Sequence, residues 1–262
     1  VLPHALELVD EWRRERERAG RILVALDFDG TISQIVPDPA TARLLPEARA
    51  ALERLARRDD TVVAIVTGRA LRDIKARVGI PDLYYAGNHG LEIEGPGVDV
   101  VNPEAERARP SIAACRNVLA PILAAIPGAI LEDKELTLSL HHRMVDDPGA
   151  VDRLRGYVAE LCAADPAVRS FEGKKIIELR PSVAWDKGSA TRFLLETLER
   201  VDDVVVPAIF IGDDRTDEDA FRALRGRGAG VIVDPAPPPD TAATSYVESP
   251  TAVVALLEKL AD

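Results

Sequence analysis

Apolar runs with strong β character, Ile22–Leu26, Val62–Val66, Val205–Ile211 and Gly230–Val233, constrain this chain more than any other feature. Each is bounded by polar turns and is too short for an ordinary helix. That is the pattern of strands buried on both faces of a parallel sheet. Leu83–Ala86 is a weaker run of the same kind. Helical patterns lie between them. Ala48, Leu52 and Leu55 share one face of Pro46–Arg58, Ala70–Val78 closes at Gly79 and Pro81, and Asp217–Leu224 and Thr251–Leu260 follow late in the chain. His4–Ala19, with Ala5, Leu8, Val9 and Trp12 at helical spacing, reads as an amphipathic surface helix to which no role attaches. Strands alternating with helices predict an α/β fold on an open, doubly wound parallel sheet.

The middle of the chain breaks that alternation. Pro110–Ile126 and Pro148–Ala164 read as helices. Each precedes a pair of strand-like runs, Ala129–Asp133 with Glu135–Arg143, then Val168–Phe171 with Lys174–Arg180. The expected division is a catalytic α/β core of residues 1–104 and 182–262, interrupted by an α+β domain of residues 105–181. With 262 residues, 47% of them apolar, there is material for both cores.

A net charge of −11 argues against a nucleic-acid surface, although one pocket of an acidic protein can still be basic. Cys115 and Cys162 form neither a disulfide framework nor a zinc pattern and read as small buried residues of a reducing compartment. The uncharged stretch Val118–Leu131 is broken by Pro121 and Pro127 and falls short of the roughly 18 residues that a membrane span needs. No signal peptide is visible. The expectation is a cytoplasmic protein with no membrane or nucleic-acid partner.

In an open parallel sheet, ligands collect at the carboxyl ends of the strands. Asp27 and Asp29 end the first strand, Thr67-Gly68-Arg69 the second and Gly212-Asp213-Asp214 the fourth. A buried strand has no reason to finish on mutually repelling carboxylates unless something positive joins them. Asp27, Asp29 and Asp213 form a hard, anionic oxygen set of the type that holds magnesium. An aspartate is ionised at neutral pH, so Asp27 is a ready nucleophile for a metal-bound phosphoryl group. Asp29 can serve as general acid, then as base for water. Thr67 and Lys187 suit phosphate oxygens, through a hydroxyl and a point charge. Taken singly, Thr67, Arg69 and Lys187 read as ordinary structural residues. Their joint occurrence after segments of the right kind favours the chemical reading.

Asp27-Phe28-Asp29-Gly30-Thr31, Thr67-Gly68-Arg69, Lys187 and Gly212-Asp213-Asp214-Arg215-Thr216-Asp217 resemble the four motifs of the haloacid dehalogenase superfamily of phosphatases. The inserted α+β unit resembles that superfamily's type 2 cap. Further stretches are similar to trehalose-6-phosphate phosphatases: Ala86–Glu92 with Asn88 and His89, Glu132-Asp133-Lys134 followed by His141-His142-Arg143, Gly173–Pro181 with Lys174 and Glu178, and Trp185–Gly188. The resemblance implies Mg-dependent hydrolysis of trehalose 6-phosphate to trehalose and phosphate, through an aspartyl phosphate on Asp27. It implies Asp29 as acid/base, and magnesium on Asp27, the backbone carbonyl of Asp29 and Asp213, with Asp217 nearby. Thr67 stands where the family often has serine, and the hydroxyl is kept. Arg69, Asn88, Glu132, Lys134, Arg143, Lys174 and Glu178 are implied to bind the sugar phosphate, while His89 reads equally as a packed structural histidine.

Glu132 with Lys134, and Lys174 with Glu178, alternate along their runs and would each share a sheet face. Such a face is either solvated or grips sugar hydroxyls through charge-assisted hydrogen bonds, and closure of the cap would exclude water. The same chemistry on sucrose 6-phosphate or mannosyl-3-phosphoglycerate is the near alternative, and a sugar phosphomutase another. A non-catalytic sugar-phosphate-binding module is disfavoured, because Asp27, Asp29, Lys187 and Asp213 are all present. These residues leave no room for a glycosyltransferase, so a trehalose-6-phosphate synthase is expected as a separate pathway partner.

Overall fold

The fold follows from which residues of each strand face which helices. A computed structural model describes residues 2–202 and 204–262. In chain order its strands are β1 (Ile22–Leu26), β2 (Thr61–Val66), β3 (Tyr84–Gly87), β4 (Glu92–Gly95), β5 (Val98–Val101), β6 (Ile130–Asp133), β7 (Leu138–His141), β8 (Val168–Gly173), β9 (Ile176–Pro181), β10 (Ala208–Gly212), β11 (Gly228–Val233) and β12 (Ser245–Val247). Its α-helices are α1 (Val9–Ala19), α2 (Pro46–Ala56), α3 (Leu71–Val78), α4 (Pro103–Ala124), α5 (Pro148–Ala164), α6 (Lys187–Asp202), α7 (Glu218–Ala223) and α8 (Pro250–Ala261). Two compact units result: Val101–Ala184, and the remainder of the chain.

In the larger unit, eight strands form one sheet in the order β12-β11-β10-β1-β2-β3-β4-β5. From β12 to β3 neighbouring strands run parallel, and β4 runs antiparallel to β3. Successive side chains of a strand point to opposite faces, and β1 shows the consequence. Ile22, Val24 and Leu26 pack with Trp12, Leu52, Leu55, Val253 and Leu257 on one side. Leu23 and Ala25 pack with Leu194, Leu195, Leu198 and Phe221 on the other. Both faces are covered, as expected of a doubly wound sheet.

The smaller unit has a four-stranded antiparallel sheet, β6-β7-β9-β8. Leu138, Leu140, Ile177, Leu179 and Val168 pack on Ile112, Cys115, Leu119, Leu154 and Val158 of α4 and α5. The cross-strand row Glu132, Ser139, Glu178 and Phe171 belongs to the opposite face.

Several elements depart from the sequence expectation. The run read as Val205–Ile211 forms a strand only from Ala208; Val205 is 71% exposed, and Pro207 has no N–H to give a ladder. α4 starts at Pro103 rather than Pro110. The Asn102 side chain accepts from the Glu104 and Ala105 amides, and Pro110 lies inside the helix. β4, β5 and β12 were not anticipated. Lys134 falls just beyond β6, and Lys174 lies in the β8–β9 turn, so neither occupies the strand position expected of it. The N-terminal helix packs by the apolar face expected of it, with Val9 and Trp12 buried, and Arg16 Nη1 adds a bond to the Leu260 carbonyl of α8 at 2.7 Å. Among the described residues, no helix is long and apolar enough to cross a membrane.

Candidate active site

The carboxyl ends of β1 and β10 bring an acidic cluster together. Asp27 continues β1, with its N–H donating to Ile211 O at 2.9 Å, and Asp213 directly follows β10. Asp217 precedes α7, its Oδ2 accepting from the Asp214 amide at 2.9 Å. Asp27, Asp213 and Asp217 each present a carboxylate oxygen within 4.8 Å of the others. Backbone shape makes the room. Gly30 has φ +77, and a Cβ there would stand 2.0 Å from Asp213 Oδ2; one on Gly212 would stand 2.3 Å from Asp217 Cγ.

Lys187 is the cation of this cluster. It opens α6, where the Asp186 side chain accepts from the Ser189 amide at 2.7 Å and fixes the first turn. Its side chain is 2% exposed, and its ammonium lies 3.0 Å from Asp27 Oδ1 and 2.7 Å from Asp217 Oδ1. Burial works against its charge, but Asp217 and Asp27 outweigh it and raise its pKa. Burial pushes Asp27 up to about 7 despite Lys187, with Asp217 and Asp29 adding to the rise. Asp213 goes to about 9, through burial and then the neighbouring Asp27 and Asp217 charges. Burial also raises Asp217, with Lys187 pulling it back.

One ammonium therefore does not satisfy three clustered acids, two of them buried and Asp213 half-buried. Asp213 Oδ1 is buried and has no hydrogen-bond partner among the described residues. A hard divalent cation fits this donor set: oxygen-only, clustered, and short of positive charge.

Asp29 stands apart from the cluster and is gripped by Arg69. Arg69 Nε donates to Asp29 Oδ2 at 2.7 Å and Nη2 to Oδ1 at 2.8 Å, a bidentate pair. The same guanidinium donates to Asp73 Oδ2 at 2.9 Å and to Pro39 O at 2.9 Å, and lies 5.3 Å from the Phe28 ring centroid. Arg69, expected on substrate, is thus engaged with protein groups. Thr67 is buried, and its Oγ1 accepts from the Arg69 amide at 3.3 Å. Asn88 and His89 both have positive φ; their amides donate to Arg69 O at 2.7 Å and Thr67 O at 2.8 Å. This turn brackets the Thr67–Arg69 segment from beneath, and Asn88 Nδ2 donates to Glu92 Oε2 at 2.8 Å.

The smaller unit has a polar cluster of its own. Lys134 Nζ donates to Glu178 Oε1 at 3.3 Å, and Ser139 Oγ to the same oxygen at 3.5 Å. Arg180 binds Glu178 Oε2 through Nε at 2.8 Å and through Nη2. Glu132 Oε2 pairs with His141 Nε2 at 2.8 Å. Arg143 and Lys174 are exposed, and Arg143 Nη2 donates to Lys174 O at 3.3 Å. Lys174 thus sits at a hairpin tip rather than beside Glu178 on the sheet. Sequence reasoning missed Asp73, Ser139, Phe171 and Arg180. Arg180, two residues after Glu178 on one strand, could have been found from period-two alternation.

Comparison with known proteins follows the same lines. Residues 25–253 match the family model described as trehalose-phosphatase. The chain is 38% identical over 268 residues to probable trehalose-phosphate phosphatase 4 of Oryza sativa subsp. japonica, covering 99% of this chain and 71% of that protein. It is 40% identical over 247 residues to the trehalose-phosphate phosphatase of Mycobacterium avium (strain 104), covering 91% of this chain and 62% of that protein. Among solved structures, the C-terminal domain of trehalose-6-phosphate phosphatase from C. albicans superposes with a TM-score of 0.82 at 24% identity, covering 100% of this chain and 98% of that one. That likeness is one of fold.

Proposed function

This chain belongs to the trehalose-phosphatase family, phosphoric monoester hydrolases, and on that premise we propose how its own residues carry out the reaction on trehalose 6-phosphate. The observation that carries the reading is the Asp27–Asp213–Asp217 cluster, with buried Lys187 bridging Asp27 and Asp217. Asp27, the backbone carbonyl of Asp29 and Asp213 would hold Mg2+, with Asp217 close by. When bound, the ion would supply positive charge that offsets the neighbouring acids around Asp27 and polarises a phosphoryl group.

An Asp27 carboxylate oxygen attacks phosphorus, and the bond from phosphorus to the sugar oxygen breaks. One Arg69 contact opens, and Asp29 takes up a proton from solvent on the freed oxygen and turns to give it to the leaving sugar oxygen. Water then attacks the phosphate on Asp27, Asp29 takes its proton, and free carboxylate and inorganic phosphate result. Lys187 and the Thr67 hydroxyl steady phosphate oxygens. In the smaller unit, Glu132, Lys134, Lys174, Arg143 and Glu178 recognise the disaccharide. A cytoplasmic setting fits the free thiols of Cys115 and Cys162.

Phosphate release from trehalose 6-phosphate, sucrose 6-phosphate, glucose 6-phosphate and mannosyl-3-phosphoglycerate, with Mg2+ and with EDTA, tests this reading. Metal-dependent release preferring trehalose 6-phosphate is expected, and Asp27→Asn should abolish it while leaving the circular dichroism spectrum unchanged. Undiminished turnover in Asp27→Asn would remove the nucleophile assignment. Preference for another member would remove the substrate.

A further inference from the structure

Glu178 is held from two directions by groups of different kinds. Oε1 receives Lys134 and Ser139 at 3.3 and 3.5 Å, the long end of hydrogen bonding. Oε2 receives Arg180 through both Nε and Nη2, the first at 2.8 Å. A guanidinium that brings two adjacent donors to one carboxylate oxygen holds that oxygen in place more directionally than the freely rotating ammonium of a lysine.

The setting of Arg180 is unusual in turn. Its cross-strand partner on β8 is Arg169, so two like charges stand directly opposite each other, an arrangement that destabilises a sheet. Two features offset it. Both guanidinium carbons lie over the Phe171 ring, at 4.6 Å for Arg180 and 4.9 Å for Arg169, within cation–π range. Arg169 also donates to the Val183 carbonyl. Phe171, itself the cross-strand partner of Glu178, is 36% exposed, and so contributes little as core. A costly arginine pair stacked on a half-open aromatic ring, ending on one buried carboxylate, is more than this small sheet needs to fold.

We propose that Arg180, backed by Phe171 and Arg169, is a positioning residue for sugar recognition: it fixes Glu178 through Oε2 so that Oε1 accepts from a hydroxyl of the disaccharide. The long Lys134 and Ser139 contacts are those exchanged when the hydroxyl arrives. This inference rests on the reading of Glu178 as a sugar-binding residue. It adds that the selectivity of Glu178 depends on three residues that need not touch the sugar.

The test compares Arg180→Gln, Phe171→Leu, Glu178→Gln and the double variant Glu178→Gln/Arg180→Gln in the full chain with Mg2+. Each is assayed on trehalose 6-phosphate and on p-nitrophenyl phosphate, with thermal melts alongside. Arg180→Gln should lower kcat/KM on trehalose 6-phosphate about 10- to 100-fold, chiefly through KM, and leave the aryl phosphate within about twofold. Phe171→Leu should give a smaller loss of the same selective kind. The double variant should lose no more than Glu178→Gln alone, because both act through one carboxylate. Equal losses on both substrates, or additive losses in the double variant, would overturn the proposal. If Glu178→Gln keeps its preference for the sugar phosphate, the underlying reading of Glu178 fails. If Glu178→Gln loses it and Arg180→Gln does not, only the positioning role fails.

Discussion

Lys187→Met asks whether one buried ammonium holds the acidic cluster in place. Its nitrogen lies 3.0 Å from Asp27 and 2.7 Å from Asp217. With an effective dielectric of about 20, each attraction amounts to about 6 kcal/mol. The three carboxylates present oxygens within 4.8 Å of one another, so each fully charged pair repels by about 3.5 kcal/mol or more on the same scale. With all three acids charged, two attractions against three repulsions would come out near balance before desolvation is counted, and in the metal-free fold Asp213, raised to about 9, relieves part of the repulsion by keeping its proton. The methionine variant therefore leaves the acids to repel one another or to take up protons. Protonation limits the damage, and the expected loss is that of breaking a buried pair, about 3–5 kcal/mol. Urea unfolding of wild type and variant at about pH 8, where unperturbed carboxylates are ionised, measures it, once in EDTA and once in excess Mg2+. The loss should be full in EDTA and visibly smaller with the metal, which restores positive charge to the same oxygens. A loss under about 1 kcal/mol in EDTA, or one indifferent to Mg2+, would refute the reasoning.

Two other outcomes follow from the same site. Burial raises Asp27 to about 7 and Asp213 to about 9, so the folded metal-free protein holds protons that the unfolded chain has already lost. Its stability should therefore fall as pH rises from the ordinary carboxylate range through about 9, and saturating Mg2+ should flatten the decline; a flat melting profile in EDTA over that range would contradict the assignment. In Gly30→Ala, the new methyl group would stand 2.0 Å from Asp213 Oδ2 at a φ of +77, so kcat should drop by about 100-fold or more on sugar and aryl phosphates alike. Retention of more than about a tenth of wild-type kcat would show that Asp213 can move without consequence.

The parts of the fold legible in the sequence were those buried on both sides. β1, β2 and β11 are continuous apolar runs because helices cover both faces, and their short length and β-branched content separate them from buried helix segments. β4, β5 and β12 escaped notice because they lie toward or at sheet edges and carry mixed polarity, as in Glu92–Gly95. Pro110 misled the reading of α4, since a proline can open a helix as well as interrupt one. At the site, Asp27, Asp213 and Lys187 could be named because each follows or opens a recognisable element. Who grips whom was not legible. That Arg69 turns to Asp29, forty residues away, or that Lys174 sits at a hairpin tip and not beside Glu178, depends on loop course, which local sequence does not encode.

The order in which the chain is made gives the parallel sheet a further consequence. β1 lies between β2, the next strand in the chain, and β10, with Leu23 beside Ala208. The whole of Val101–Ala184 is synthesised between them. One edge of β1 therefore waits, exposed on the nascent chain, while an unrelated sheet and its two helices emerge and can close first. Joining β10 to that edge closes a long loop and should be among the slow steps of folding. It is also the step that carries Asp213 to Asp27, shortly after Lys187 has emerged to meet it. Nascent chains ending before β10 thus carry Asp27 without the crowding that Asp213 and Asp217 impose, and the electrostatic strain of the site arrives only after Lys187, which offsets part of it, has been made.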